Sequence, residues 1–250
     1  MKPRIIARID VKNEHVIKGI HLEGLRKVGD PNELARKYYD AGIDEILFMD
    51  AVASLYGRNN LFDIIQRACR EIFIPITIGG GIRSVSDIEM ALKSGADKVA
   101  INTQAVRTPD IIREASRIYG SQCIVASVEA KRKPNGWEVY VDNGRQETGV
   151  DVIEWIKKLQ DLGAGEILLT SIDQEGTKKG FDLPLCKAVS RVAHVPMIVC
   201  GGAGNLRHIG DLWGNVQVDA LAVASVLHYN LLNIAEIKSE ISSCSRLASA

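Results

Sequence analysis

The chain has 250 residues, of which 31 are basic and 31 acidic, so its formal net charge is zero. A balanced charge gives no electrostatic case for nucleic acid or a membrane surface, so a small metabolite or a protein partner is expected. The 46% of hydrophobic residues suffice for one large core, and single α/β barrels commonly have this length.

The cysteines, histidines and apolar runs exclude further classes of protein and of functional site. No apolar run approaches the roughly 18 residues of a membrane-spanning helix. The five cysteines are scattered and form no CxxC pair, which indicates reduced thiols in a cytoplasmic protein. HExxH, Cys/His clusters and GxSxG are all absent from the sequence, so we expect no metal, no cofactor and no serine triad.

The first predicted strand is a nearly unbroken, β-branched apolar run that ends in Asp10. Such a run is typical of a strand buried on both faces of a parallel sheet. The pattern returns in a run that ends in Glu129. In chain order, the predicted strands are 5–10, 45–50, 74–79, 97–102, 123–129, 166–171, 196–200 and 219–224.

Helices are predicted between these strands from ordinary start and stop signals. Asp30-Pro31 begins the first and Gly42 ends it, and Thr108-Pro109 and Gly120 bracket another. Eight strands that alternate with helices predict a closed (β/α)8 barrel. An open doubly wound sheet is the alternative, but its usual GxGxxG after the first strand is absent.

An internal repeat supports the barrel. Residues 42–47 match 163–168, and residues 74–80 match 195–201, both at an offset of 121 positions. We therefore predict one domain over 1–250, built from two half-barrels of about 1–122 and 123–250, in which each half can bind the same kind of group.

Two connections are longer than the usual loop between strand and helix. They cover 12–29 and 131–148, and each follows a strand that ends in a carboxylate. The second has an apolar run between Asn135-Gly136 and Asn143-Gly144, which predicts a β-hairpin. Both connections are expected over the mouth of the barrel as lids, with plain surface insertions as the alternative.

Glycine-rich turns follow one strand in each half. Glycine lets amide N–H groups approach an anion closely, so each turn predicts a phosphate site. A small polar pair ends the next strand in both halves and offers further donors. The phosphate-binding residues predicted in this way are Gly80, Gly81, Asn102 and Thr103 in the first half, and Gly202, Gly204, Ala224 and Ser225 in the second. Two such sites at one mouth indicate a ligand with a phosphate at each end.

Asp10 and Glu129 are predicted to face each other across that mouth, one from each half. Opposed carboxylates suit a general acid and a general base, although strand-end carboxylates also bind helix N-termini or lysines. Lys18 is a candidate for holding a phosphate or polarising a carbonyl, and Asp50 and Asp173 are secondary candidates.

Four charged side chains begin strands at the opposite face: Arg4, Glu45, Lys98 and Glu166. Two cations and two anions there could close the barrel bottom as a ring of ion pairs. The alternative is ordinary solvated charge at strand starts.

Taken together, the chain resembles the cyclase subunit of imidazole glycerol phosphate synthase, from the histidine pathway, over nearly its full length. The resemblance rests on Asp10-Val11-Lys12, Val16-Ile17-Lys18-Gly19, Gly29-Asp30-Pro31, Ile78-Gly79-Gly80-Gly81-Ile82, Gly95-Ala96-Asp97-Lys98-Val99, Ile101-Asn102-Thr103, the stretch from Gly163 to Asp173, and Gly201-Gly202-Ala203-Gly204.

The resemblance implies a carbon–nitrogen lyase that works as a heterodimer with a glutaminase subunit docked at the N-terminal face of the barrel. Ammonia would pass the ring of Arg4, Glu45, Lys98 and Glu166. At the mouth it would convert a doubly phosphorylated ribulosyl nucleotide into imidazole glycerol phosphate and an aminoimidazole carboxamide ribotide. Asp10 would be one acid/base group, with Glu129 at the position of the other. The implied substrate-binding residues also include Thr170, Glu175 and Gly176.

Three departures from the family pattern stand out. The family usually has Asp at the positions of Glu129 and Glu175, and Cys at the position of Arg8. Strand residues i and i+2 share a face, so Arg8 is predicted to point into the barrel beneath Asp10. A buried arginine needs a carboxylate partner, which Asp10 or Glu129 could supply, and the pairing would lower that carboxyl's pKa.

These departures leave alternatives to the cyclase. One is a divergent branch of the family that relays ammonia to an amidotransferase forming acetamidino groups on surface-glycan sugars. Another is an inactive scaffold that activates a glutaminase. A third is the sister isomerase barrel, against which the Arg4, Glu45, Lys98 and Glu166 set and the loop carrying Lys18 argue.

Overall fold

A computed structural model describes residues 3–51 and 61–247. Eight parallel strands form a barrel that closes where β7 pairs with β10. The strands in chain order are β1 (Arg4–Lys12), β2 (His15–Ile20), β3 (Glu23–Gly29), β4 (Glu45–Asp50), β5 (Ile76–Gly79), β6 (Lys98–Ile101), β7 (Ile124–Lys133), β8 (Gly136–Val141), β9 (Gln146–Asp151), β10 (Glu166–Ser171), β11 (Met197–Cys200) and β12 (Ala220–Val223). The predicted (β/α)8 barrel is confirmed.

Helices surround this barrel. In the described part of the chain they are α1 (Pro31–Asp40), α2 (Leu61–Ala68), α3 (Val85–Lys93), α4 (Thr103–Arg107), α5 (Asp110–Tyr119), α6 (Val152–Asp161), α7 (Leu183–Ser190), α8 (Leu206–Asn215), α9 (Ser225–His228) and α10 (Ile234–Leu247). None of the helices in these ranges is long and apolar enough to cross a membrane.

The predicted helix signals act as expected. The Asp30 carboxylate accepts N–H bonds from Asn32 and Glu33 at the start of α1, with Pro31 in the first turn. Gly120 ends α5 with a φ of 88°, a backbone conformation that glycine adopts without strain. The short helix α4 follows Asn102 directly and was not predicted.

Alternation along β1 separates the two apolar layers. Ile5, Ala7 and Ile9 belong to the large core between the barrel and its helices. Ile6 belongs to a smaller cluster that fills the barrel interior with Leu47 and residues from other strands. Since successive side chains point to opposite faces, the same alternation sends Arg8 and Asp10 inward.

Both long connections form antiparallel hairpins at the mouth end. β2 folds back on β1, with Val11 opposite Val16, and pairs with β3. The predicted second hairpin is present and is extended by a third strand, because β8 pairs with both β7 and β9. The first hairpin was not predicted, since the chain around it lacks a two-residue turn signal.

The repeat falls on equivalent strands: the matched segments begin β4 in the first half and β10 in the second, with Glu45 and Glu166 as first residues. The division into half-barrels stays a prediction. The single domain predicted over 1–250 includes residues 1–2, 52–60 and 248–250, which lie outside the described residues.

Candidate active site

β1 delivers two charged side chains to the upper barrel interior. Arg8 and Asp10 are both buried, at 2% and 6% exposure. The Arg8 Nε–H donates to Asp10 Oδ1 at 2.8 Å. This ion pair is the lower part of a charged network that continues into the mouth.

The hairpin of β2 and β3 supplies the next member. Because β2 folds back along β1, the buried Lys18 ammonium donates to Asp10 Oδ2 at 3.2 Å. Lys18 also forms an ion pair with Glu175, which lies in the connection after β10. Glu175, Lys18, Asp10 and Arg8 thus alternate in charge, and both oxygens of Asp10 accept from a cation.

The far arm of Arg8 reaches the opposite wall of the barrel. Its Nη1 donates to Thr170 Oγ1 at 3.2 Å and to Cys200 Sγ at 3.5 Å. Thr170 is fully buried beneath the mouth, so its hydroxyl contacts Arg8 rather than an open cavity. Substrate binding by Thr170 stays a prediction.

Glu129 is placed on β7, across the mouth from β1, and is as buried as Asp10. Its Oε2 accepts the N–H of Gly144 at 2.7 Å, from the turn between β8 and β9. The second hairpin therefore positions the Glu129 carboxyl. Among the described residues, no Lys, Arg or His forms an ion pair with it.

The two carboxyls differ in acidity. Burial raises the pKa of Glu129 to about 7, against the opposing effects of the Arg8 charge and the Gly144 N–H. Burial would also raise the pKa of Asp10, but the charges of Arg8 and Lys18 outweigh it and lower that pKa to about 2. Asp10 is therefore ionised at neutral pH, while Glu129 is poised to gain and lose a proton.

The first predicted phosphate site lines a cavity at the mouth. Gly80 and Gly81 have φ angles of 89° and 74°. The lining includes Gly80, Gly81, Asn102, Thr103, Asp50 and Glu129. Phosphate binding by these residues stays a prediction, and so does a ligand role for Asp50.

The second predicted site lines a separate cavity. Its lining includes Glu175, Gly176, Gly202, Ala224 and Ser225. Gly204 is outside this lining and packs against the backbone of Lys178. Lys18, Gly176 and Ser225 also line a further cavity beneath the first hairpin. Direct phosphate contact from Gly204 is the least supported of these predictions.

At the bottom face, the four predicted charges form a closed ring. Arg4 donates to Glu45 and to Glu166, both at 2.6 Å. Lys98 donates to the same two carboxylates at 3.3 and 2.9 Å. Both glutamates are nearly buried, while the two cations keep about a fifth of their side-chain surface exposed. The four side chains are therefore joined by ion pairs and are not separate, solvated charges.

The sequence matches one protein family over most of its length. The sequence model of the family described as "Histidine biosynthesis protein" matches residues 4–233. Similar relatives, each named imidazole glycerol phosphate synthase subunit HisF, come from Legionella pneumophila, Prochlorococcus marinus and Streptococcus mutans. The first is 59% identical over 204 residues, covering 81% of this chain and 96% of the relative. The others are 48% identical over 238 residues (94% and 93% coverage) and 44% over 239 residues (95% of each chain).

The chain belongs to the HisF family. HisF proteins are the cyclase subunit of imidazole glycerol phosphate synthase, a lyase, so the predicted family and enzyme class are confirmed. Because HisF is a subunit of the synthase, a partner subunit is implied. The relatives give no support to the ammonia-relay alternative.

Several contacts of this HisF-family site escaped sequence reasoning. Arg83 and Arg107 line the first cavity. The sequence could have indicated them, because each is a basic residue that follows a predicted phosphate-binding segment within about one helical turn.

The contact between Arg8 and Cys200 could not be predicted in this way, because it joins residues that are far apart in sequence. Asp173 accepts the Arg132 N–H at 2.8 Å, and its role as a secondary candidate stays a prediction. In the described ranges no group of His, Cys, Asp and Glu could hold a metal ion.

Proposed function

We propose that this chain catalyses the cyclase reaction itself. Ammonia and a ribulosyl nucleotide with two phosphates would give imidazole glycerol phosphate, an aminoimidazole carboxamide ribotide and water. The observation that carries the proposal is the pair Asp10 and Glu129, two buried carboxyls that interact electrostatically at one barrel mouth. Membership of the HisF family supports the same reaction.

The two glycine-lined cavities support the substrate class. One includes Gly80 and Gly81 beside Glu129, and the other includes Gly202 beside Glu175. Backbone N–H groups of each turn would bind an anion, and Arg83 and Arg107 would add guanidinium groups to the first cavity, where Arg107 also pairs with Asp142 at 2.8 Å. A ligand with a phosphate at each end would then lie across both carboxyls.

The reaction needs protons moved in both directions. Condensing ammonia with a carbonyl moves two protons from nitrogen to the oxygen, which departs as water. A group whose pKa is near neutrality serves such transfers best. Glu129, with a pKa of about 7, meets that requirement at the mouth.

The partner subunit is proposed to be a glutaminase that docks at the N-terminal face as a heterodimer. Its ammonia would enter past the ring of Arg4, Glu45, Lys98 and Glu166 and travel along the barrel. The support is the closed ring itself, placed on the axis at the end opposite to Asp10.

The test is direct. The purified chain is given the ribulosyl nucleotide and an ammonium salt, and imidazole glycerol phosphate is quantified by mass spectrometry. We expect steady product formation, which Asp10→Asn abolishes. Asp110→Asn is the matched control, because the Asp110 carboxylate is exposed on α5 and pairs with Arg113 outside the charged network. Absence of product from the folded wild-type chain would contradict the proposal and favour ammonia relay.

A second measurement tests the partner's position. With a glutaminase subunit present, Glu45→Gln should lower glutamine-dependent turnover more than ammonium-dependent turnover, because it opens the ring. Equal losses of both activities would remove the support for entry through this face.

A further inference from the structure

Arg8 is an unusual occupant of the barrel interior. It is among the largest fully buried side chains in the described residues, and the interior cluster around it is otherwise made mainly of aliphatic side chains. A buried guanidinium is costly unless its hydrogen bonds are satisfied. Here it spans the interior, from Asp10 on its own strand to Thr170 and Cys200 on the far wall.

This placement makes the two carboxyls chemically unequal. Asp10 accepts from Arg8 at one oxygen and from Lys18 at the other. Glu129 accepts from the neutral Gly144 N–H and has no cation within 4 Å in the described part of the chain. The asymmetry is built by side-chain contacts, since the two carboxyls are equally buried.

We propose that Arg8 is a positioning residue that holds Asp10 as a fixed, ionised carboxylate and leaves proton transfer to Glu129. The inference rests on the cyclase function proposed above and assigns the roles within it. Asp10 then stabilises positive charge that develops on the substrate, and Glu129 acts as acid and base in turn.

The groups that face Asp10 come from five elements. They are Arg8 on β1, Lys18 on β2, Glu129 on β7, Glu175 after β10 and His228 on α9, with Cys200 of β11 against the guanidinium. Burial lowers the pKa of His228 to about 4, so it is neutral at working pH. Arg8 and Lys18 contact Asp10 directly, whereas Glu175 contacts Lys18 on its other side, so the two cations determine the charge of Asp10.

Ammonia adds to the ketose carbonyl of the nucleotide to give a carbinolamine. Its C–O bond breaks as C=N forms, and the departing oxygen takes the Glu129 proton and leaves as water. The resulting iminium ion is stabilised by the Asp10 carboxylate until it returns one N–H proton to Glu129. The enzyme ends this step in its starting protonation state.

The experiment follows the Asp10 carboxyl carbon by 13C NMR in the isolated chain, assigned with Asp10→Asn. In the wild type we expect no titration of Asp10 between pH 3.5 and 8. In Arg8→Met we expect its pKa to rise by about one to three units, because an adjacent opposite charge is lost. Arg8→Gln, which keeps a polar side chain, is the second variant where Arg8→Met does not fold.

Activity gives an independent signature. Turnover with ammonium should fall about 100-fold in Arg8→Met, as expected for a misplaced reacting group. In the pH–rate profile of Arg8→Met, the limb that reports Glu129 should remain but move to higher pH, because the Arg8 charge normally lowers the pKa of Glu129. Arg8→Lys should keep Asp10 ionised and restore part of the rate, and no rescue by Arg8→Lys would count against a charge-based role.

The two proposals fail separately. An Asp10 carboxyl that titrates identically in the wild type and in folded Arg8→Met or Arg8→Gln overturns the role of Arg8, whether or not the chain is a cyclase. A wild-type chain without product overturns the cyclase function and leaves the NMR result standing.

Discussion

Replacing Lys18 by Met is a sharp test of the charged network at the mouth. The Lys18 ammonium is buried and lies between the carboxylates of Asp10 and Glu175. Methionine keeps most of the apolar stem but removes the charge. Two buried carboxylates would then lose their shared cation, and Glu175 would keep only the more distant charge of Arg8.

The size of the effect follows from burial. Removing one partner of a buried ion pair costs about 3–5 kcal/mol, because the other charge stays buried and uncompensated. For a domain of this size, each kcal/mol lowers Tm by about 2–4 °C. Lys18→Met should therefore lower Tm by roughly 6–20 °C, measured by circular dichroism at neutral pH.

The control is Lys93→Met, which makes the same change in a pair that is mostly exposed. Lys93 contacts Glu89 at 2.6 Å on the surface of α3, and such exposed pairs contribute little to stability. Adding Glu175→Gln to Lys18→Met should recover part of the loss. Equal, small losses for Lys18→Met and Lys93→Met would refute the idea that a buried network holds the mouth together.

Three further predictions concern other parts of the molecule. Glu129 protonates more readily when folded, so its contribution to stability is full below pH 4.5 and is lost as pH rises through about 7. Glu129→Gln should remove up to about 3 kcal/mol of that pH dependence in urea unfolding curves, and an unaltered slope would contradict the assignment. Gly202→Ala, at a φ of 112°, should raise KM for the ribulosyl nucleotide at least tenfold, whereas Gly214→Ala, with open space around it, should not. Glu45→Gln should lower the free energy of unfolding by about 1.5–3 kcal/mol, because two charged hydrogen bonds are lost, and a loss below 0.5 kcal/mol would mean that the ring is solvated.

The barrel could be predicted from the sequence because its signals are local and repeated. Apolar β-branched runs, capping residues such as Asp30, and glycine after helices such as α1 and α5 locate many of the elements without any long-range information. Two strands match their predicted bounds, and the ends of the others differ by up to four residues. At β5, Pro75 precedes the first paired residue. Proline cannot donate to the ladder, which explains the later start.

The site was only partly predictable, because its charge states depend on contacts between distant residues. The inward direction of Arg8 followed from alternation along β1, but its choice of Asp10 over Glu129 did not. That choice depends on where β2 places Lys18 and on the Gly144 N–H that Glu129 accepts. Both come from hairpins whose pairing register the local sequence does not specify.

The most direct test of the central claim uses 15N-labelled ammonium with the purified chain and the ribulosyl nucleotide. If the mouth between Asp10 and Glu129 is a cyclase site, one ring nitrogen of the imidazole glycerol phosphate carries the label, and the Asp10→Asn chain forms no labelled product. An unlabelled imidazole product, or labelled product in equal yield from Asp10→Asn, would contradict the account.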